Sequence, residues 1–468
     1  MTKILDVVYD VVWGAPALLL IMGVGIWFSV ATGFAQIRLF PSAIRVFFRK
    51  MVSETRKTNS VSGFQALCTA LAATVGTGNL VGVAGAICIG GPGAVFWMWI
   101  CGLIGMITKC VEVTLAVHFR QRSGNSFVGG PMYMISRGLP FEFHWLARLY
   151  AVLGVIACFG VGNATQINAV ITGINHIFPV EDELRRNLGV GLLMCVMIGS
   201  VLLGGAGRIG SVAQMLVPFA AAGYILLCVF ALATRMDAVL EALCSIFKGA
   251  YSPDSVTGGL IGSAFLALRT GCSRGVFTNE AGMGTASIAH ASAVTAHPLE
   301  QGLMGVVEVF LDTIVICTMT ALVILTSGIP IPYGQDIGGK VTELAFSHVF
   351  GDWVCLALTG FMCCFAFATI LGWGLYGARC AQFLFGSGSW PYFAFAQTFV
   401  VILGAVLKTD TIWRIAEILN GLMAIPNLIA LAVLAPVFIR LLKEYERNSG
   451  ILDTSGGNYA DFHQCKPL

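Results

Sequence analysis

Two stretches place hydroxyls, amides and glycines inside otherwise apolar runs. In the first, Thr74-Val75-Gly76-Thr77-Gly78-Asn79 interrupts a run that resumes at Leu80-Val81-Gly82-Val83. In the second, Arg269, Arg274, Thr278, Asn279 and Glu280 sit among Gly271, Gly275, Gly282 and Gly284. Glycine weakens a helix by about 1 kcal/mol relative to alanine. Buried polar groups add a further cost. Both make sense if the helix unwinds there and its released N–H and C=O groups hold a ligand. The chemistry is then binding, with backbone donors facing an anion and backbone oxygens a cation. A glycine-rich helix-packing face is the competing reading of the first stretch. The ionisable residues of the second weigh against it, because charges at membrane depth are rare and functional.

The elements that must position these residues follow from composition. The chain has 468 residues, 57% apolar and 11% charged, with 56 glycines and a mean hydropathy of +0.84. Soluble domains carry about 25% charge. Such a chain is not a soluble enzyme, a nucleic-acid binder or a disordered protein. Its apolar runs reach the length of membrane helices and exceed barrel strands, so the expected fold class is an all-α polytopic membrane protein. The net charge of +3 implies no anionic partner. The 15 cysteines lie almost all in apolar runs without metal-type pairing and are expected to pack. Lys3 faces Asp6 and Asp10, so no basic leader and no cleavable signal is expected. No GxxxxGK[ST], nucleophile elbow or HExxH is present. An enzyme is not expected, and no cofactor; transport would be driven by an ion gradient.

Eleven apolar segments lie near 12–34, 61–90, 93–118, 146–178, 187–204, 211–233, 257–289, 299–326, 352–378, 391–407 and 411–442. Basic residues cluster on one side of them. Arg38, Arg45, Arg49, Lys50, Arg56 and Lys57 follow the first segment, Arg120, Arg122, Arg137 and Arg148 the third, and Arg440, Lys443, Arg447 and Lys466 the last. Arg208 and Arg379 join them, against Lys3, Arg185, Arg186, Arg235, Lys248, Lys340 and Lys408 opposite. The positive-inside rule puts the N-terminus outside and the C-terminus in the cytoplasm of a cell (inner) membrane. Residues 237–250 and 341–350 have helical spacing and are expected as short helices at the extracellular face. The polar tail from about 448 is expected to be a disordered cytoplasmic end.

The two interrupted segments open blocks of five spans each. An odd number of spans per block inverts the second relative to the first. Inverted five-helix repeats that start with a discontinuous helix are the architecture of leucine-transporter-like secondary transporters. The expected division is 1–60 as a peripheral helix and basic loop, 61–235 and 236–442 as the two repeats, and 443–468 as the tail. Gln166 either reaches the central site or serves as interhelical glue. Lys109 and Glu112 read as a local or snorkelling pair as well as a gate, Glu308 and Asp312 as structural partners of Arg269 or Arg274 ahead of a proton or cation element, and Glu417 as a structural partner of Arg414. His290 and His297 read as edge residues.

Several strings closely resemble the alanine/glycine:cation symporters, also called the sodium:alanine symporter family. They are TALAATVGTGNLVGVAGAICIGGPGAVFWMWICGLIGMITKCVEVTLAVHFR, GGPMYMISRGL, RGVFTNEAGMGTASIAHASA, LDTIVICTMTALVIL, FATILGWG and LNGLMAIPNLIAL, spread over about 60–442. The resemblance implies a sodium-coupled importer of a small neutral amino acid, alanine or glycine. It implies substrate binding around Thr74, Gly76, Thr77, Gly78, Asn79 and Gln166, with Phe277, Thr278 and Asn279 lining the site. Thr77 and Gly78 would give N–H groups to the carboxylate, Thr74 its carbonyl to the ammonium, and Trp373 a cap over the side chain. Na+ as coupling ion would take carbonyls of Ala72, Val75 and Phe365 and the Thr369 hydroxyl. Two positions depart from the family pattern. Ala368 stands where a Ser precedes the Thr, which removes one hydroxyl ligand and leaves weaker Na+ binding or H+ coupling as readings. Ala378 stands where a Glu is usual. A carrier of serine or glutamine is the alternative, and a sensor or channel the distant one. The expected partners are the amino acid, Na+ and the lipid bilayer, with no nucleic acid; the oligomeric state is left open.

Overall fold

The computed structural model describes residues 5, 8–9, 11–53, 61–124, 126–178, 180–259, 263–335, 338–407 and 410–449. The expected tail beyond 449 and the basic pair Arg56 and Lys57 lie outside them. The main helices are α1 (Ala15–Ala31), α2 (Phe40–Ser53), α3 (Gly63–Thr74), α4 (Val83–Gly90), α5 (Gly93–His118), α6 (His144–Phe159), α7 (Thr165–Ile177), α8 (Glu183–Leu202), α9 (Gly205–Ala233), α10 (Met236–Tyr251), α11 (Ala264–Asn279), α12 (Thr285–Ala291), α13 (Pro298–Val309), α14 (Thr318–Thr326), α15 (Gly338–Phe350), α16 (Trp353–Phe385), α17 (Trp390–Val406) and α18 (Asp410–Asn448). A short antiparallel hairpin pairs β1 (Gln121–Ser123) with β2 (Ser126–Val128).

Among the described residues, eight helices are long and apolar enough to cross a membrane. The bent pair Gly63–Thr74 and Gly78–Gly90 makes up to nine. Each of the eleven apolar segments falls on a helix or a broken pair. The apolar helix Pro16–Ala31 is short for a span, and the α11–α12 pair carries Arg269, Arg274 and Glu280. Both expected surface segments, 237–250 and 341–350, are helices.

Apolar side chains face two ways, as a bilayer demands. α5 is the central helix, with 83% of its apolar window buried, whereas α8 and α9 bury 22% and 28%. Their outward residues are large and apolar, among them Leu193, Val196, Phe219 and Phe230. Lipid tails accept these as readily as a core does, so packing between helices rests on close approach. Small residues supply it. Gly93 of α5 sits against the Gly249 backbone of α10, and Gly271 of α11 against the Ala94 carbonyl; a Cβ at either would overlap the neighbouring main chain.

Local chemistry explains the breaks. α3 opens with a capping box between Ser62 and Gln65. It ends at Val75, whose backbone is extended (φ −75°, ψ 106°). The chain then bends by 50° into Gly78–Gly90, whose first turn is a π-turn over Gly78–Gly82. The second break follows Asn279. Glu280, Gly282 and Gly284 there have φ of 53°, 95° and 78°. Such angles suit glycine, but Glu280 is a strained exception held by its surroundings. Further π-turns lie at Gly160–Ala164 and Phe310–Cys317, and such turns often mark functional positions.

Gly93→Val should therefore push α5 and α10 apart. Overpacking costs about 1–3 kcal/mol, and the expected readout is a lowered melting temperature of the detergent-solubilised protein.

Candidate functional site

The two breaks meet. A Cβ on Gly78 would lie 3.0 Å from the Thr278 methyl and 3.7 Å from the Phe277 ring. Around this contact Ala73, Thr74, Gly76, Thr77, Gly78, Val161, Gln166, Phe277, Glu280, Thr369 and Trp373 line a cavity of about 20 Å³. Thr77 and Gly78 stand at the start of the half-helix that runs to Gly90, the end at which backbone N–H groups lack intrahelical acceptors and the helix dipole is positive. Thr77 Oγ1 donates to Gln166 Oε1 (3.4 Å). Gln166 is aimed by its own amide, which donates to the Val161 carbonyl (3.1 Å) in the π-turn.

Trp373 forms one wall. It is buried, and Gly162 makes room for it, since a Cβ there would overlap its ring. Its indole Nε1 is buried without a hydrogen-bond partner. Glu280 is the one ionisable side chain in the lining. Its Oε2 accepts from the Thr285 hydroxyl (2.5 Å).

Beside the cavity the Thr369 hydroxyl donates to the Ala72 carbonyl (2.9 Å). A Cβ on Gly76 would lie 3.0 Å from Thr369 Oγ1. Hard oxygens from α3 and α16 thus come together next to unwound backbone, a donor set suited to an alkali cation. The expected Val75 and Phe365 are buried nearby in sequence but do not line the cavity. Ala368 is buried.

Asn79, Thr278 and Asn279 do not line the cavity either; their side chains hold the breaks in shape. Asn79 Oδ1 accepts from Gly76 N (2.9 Å), and its Nδ2 donates to Asp312 Oδ1 (2.7 Å). Asn279 Oδ1 accepts from Ala281 N (3.0 Å), and its Nδ2 donates to Thr313 Oγ1 (3.2 Å). Thr313 in turn donates to Asp312 Oδ2 (2.9 Å). Thr278 Oγ1 bonds back to the Gly275 carbonyl (2.9 Å). One buried carboxylate therefore ties both breaks together.

A second, larger cavity of about 400 Å³ runs from Thr77 past Leu80, Val81, Asn168 and Thr172 to Lys340, Thr342 and Glu343. α15 closes over it, with Thr342 Oγ1 donating to the Leu80 carbonyl (2.8 Å). The helix read at 341–350 thus borders a cavity that shares Thr77 with the smaller one.

Several expected ion pairs are different in the fold. Glu308 meets Lys109 (3.4 Å) and His290 (2.9 Å), not Arg269 or Arg274. Asp312 is bound by Asn79 and Thr313. Glu112 takes Asn427 (2.7 Å) and Gly284 N (3.2 Å). Glu417 lies 3.8 Å from Arg274, and the Arg414 side chain lies outside the described residues. His290 is fully buried, not an edge residue. Sequence reasoning passed over Ala73, Val161 and Glu280 as lining residues. Only Glu280 carried a signal, a carboxyl in the polar core of the second break.

A model of the sodium:alanine symporter family, by description, matches residues 1–454. The chain belongs to this family. It is 39% identical to the sodium/alanine symporter AgcS of Methanococcus maripaludis, over 95% of this chain and 97% of that one. It is 36% identical to the probable sodium/glutamine symporter GlnT of Bacillus subtilis, over 96% and 91%. The crystal structure of MhsT in complex with L-phenylalanine matches with a TM-score of 0.58 at 13% identity, over 83% of this chain and 99% of that one. The symporter thus has the leucine-transporter fold, and its family and named relatives are transporters, not enzymes.

Asn79→Ala should leave the Gly76 N–H and the Asp312 carboxylate without their partner. Each orphaned buried group costs about 1–3 kcal/mol. The expected outcome is a marked drop in melting temperature without ligand, and a larger drop than for Asn168→Ala in the vestibule.

Proposed function

We propose that this sodium-coupled amino-acid symporter carries alanine or glycine by alternating access, with Na+ bound at Ala72 and Thr369. The observation that carries the reading is the cavity between the two breaks. It joins backbone donors at Thr77 and Gly78, a carboxylate at Glu280 and a flat indole at Trp373 in about 20 Å³. A zwitterion fits this polarity. Its carboxylate faces the positive end of the outer half-helix, and its ammonium faces the Thr74 carbonyl and Glu280. Trp373 leaves little room beyond the α-carbon, so a larger side chain is rejected by clash.

Asn79, Thr278 and Asn279 act here by shaping the breaks. Val75 and Phe365 add their carbonyls to the Na+ shell. The blocks 61–235 and 236–442 are the two inverted repeats, each led by its broken helix, with 1–60 peripheral and 443–468 a tail. The positive-inside bias supports an inner-membrane protein with the N-terminus outside, which makes the vestibule under α15 the outer entrance. Coupling requires that Na+ and substrate strengthen each other's binding reciprocally. The shared lining residue Thr369, next to Gly76, gives them contact.

Ala368 favours a second reading, coupling to H+. Proteoliposomes separate the two. An inward Na+ gradient at fixed pH should accelerate uptake of labelled alanine, and Thr369→Ala should weaken the apparent Na+ affinity about tenfold, the equivalent of ~1.4 kcal/mol. Uptake indifferent to Na+ but driven by a pH gradient would overturn the sodium assignment.

Trp373→Ala should broaden selectivity, so that glutamine and leucine compete with labelled alanine for binding. Unchanged competition would remove the capping role.

A further inference from the structure

α12, the inner half of the second broken helix, has only seven residues, yet side chains from several elements hold it. At its start Glu112 Oε1 of α5 accepts from Gly284 N and from Asn427 of α18. Asn427 Nδ2 also donates to the Gly282 carbonyl (2.9 Å). Beyond its end Arg120 donates to the Ala293 carbonyl.

The decisive contacts are at His290. Gln301 of α13 places its amide nitrogen 2.7 Å from His290 Nδ1 and 3.1 Å from the Gly63 carbonyl. An amide nitrogen only donates, so Nδ1 accepts and Nε2 carries the proton given to Glu308 Oε2 (2.9 Å). On its other side Gln301 Oε1 accepts from Lys50 of α2 (3.5 Å). Lys50 also lies 3.8 Å from Glu300, which pairs with exposed Arg49. Gln301 is thus a junction that joins the inner ends of both broken helices to the amphipathic surface helix α2. None of these side chains lines the ligand cavity.

This network is incompletely satisfied. Glu112 Oε2, Ser292 Oγ and Asn427 Oδ1 are buried without a hydrogen-bond partner, while Lys109 Nζ and Glu308 Oε1 pair with each other at 3.4 Å. A buried polar network left half-satisfied is costly, whereas a wetted one is not. Direct bonds favour the closed arrangement, and water entering from the arginine-rich side would favour an open one. Such a balance makes a two-state element.

We propose that the Gln301 junction, with His290, Glu308 and Lys50, is a latch that holds α12 against α3 and α13 and so closes the arginine-rich end of the site. On release α12 moves away, water reaches the unpaired groups, and the ligand cavity opens to that side. The proposal rests on the transport reading above, but its test reads the motion of α12 rather than transport.

The test is hydrogen–deuterium exchange of the full chain in lipid nanodiscs. Gln301→Leu keeps the size of the side chain and removes its donors and acceptor. Amides of 285–293 should exchange about tenfold faster, the factor for losing about one hydrogen bond, while those of 353–385 stay as in the parent protein. Lys50→Met, at the surface end, should give a smaller rise confined to the same segment. Unchanged exchange at 285–293 in Gln301→Leu would overturn the latch. So would an equal rise across 353–385, the mark of a merely structural contact. If Gln301→Leu does not fold, Lys50→Met decides, and unchanged exchange there overturns the proposal.

Discussion

A backbone N–H or C=O released in the middle of a membrane has no water to turn to, so protein must answer it. Everything around the site follows from that constraint. Asn79 answers the Gly76 N–H and Asn279 the Ala281 N–H. Asp312 then binds both asparagine-bearing breaks, directly through Asn79 and through Thr313. Thr77 and Gly78 stand at the opening of the half-helix that follows, the end at which a helix turns its unclaimed N–H groups outward. The scaffold is polar because the break is polar, and the break is tolerated because the scaffold is there.

The same constraint explains how polarity is distributed. The linked buried ionisable residues Lys109, Glu112, His290 and Glu308 gather on α5, α12 and α13, while α8 and α9 give large apolar side chains to lipid. The two ends of the site are closed differently. α15 covers a roomy cavity whose wall reaches Thr77, with one direct bond from Thr342 to the Leu80 carbonyl. The arginine-rich end is packed by α12 and its side-chain ties. One end thus has a thin cover and the other a polar seal built from side chains of several helices.

Much of this was legible in the sequence. The apolar runs marked helices, and the glycine–threonine–asparagine cluster marked the first break at the right residues. The polar core of α11 marked the second. Gln166, Phe277, Trp373 and Thr369 all come to the cavity. The partners of charged residues were not legible. Glu308 was matched with an arginine of α11, but it takes Lys109 and His290. Glu280 was visible as a polar residue of the second break, but its left-handed backbone at φ 53° and its place in the cavity lining were not.

The sequence by itself determined that the chain is a helical membrane protein and where two of its helices break. Partition into lipid and the cost of glycine or a polar group in a helix depend on neighbours a few residues away. Tertiary structure alone decided which asparagine shapes a break and which residue faces the cavity. It alone made Gln301 a link between two helix ends. Several of the deciding contacts join residues more than 200 apart in sequence, such as Asn79 with Asp312 and Gln301 with Gly63. No local propensity selects such a partner; only the packing of the bundle, which leaves each buried polar atom a few neighbours to bond, does so.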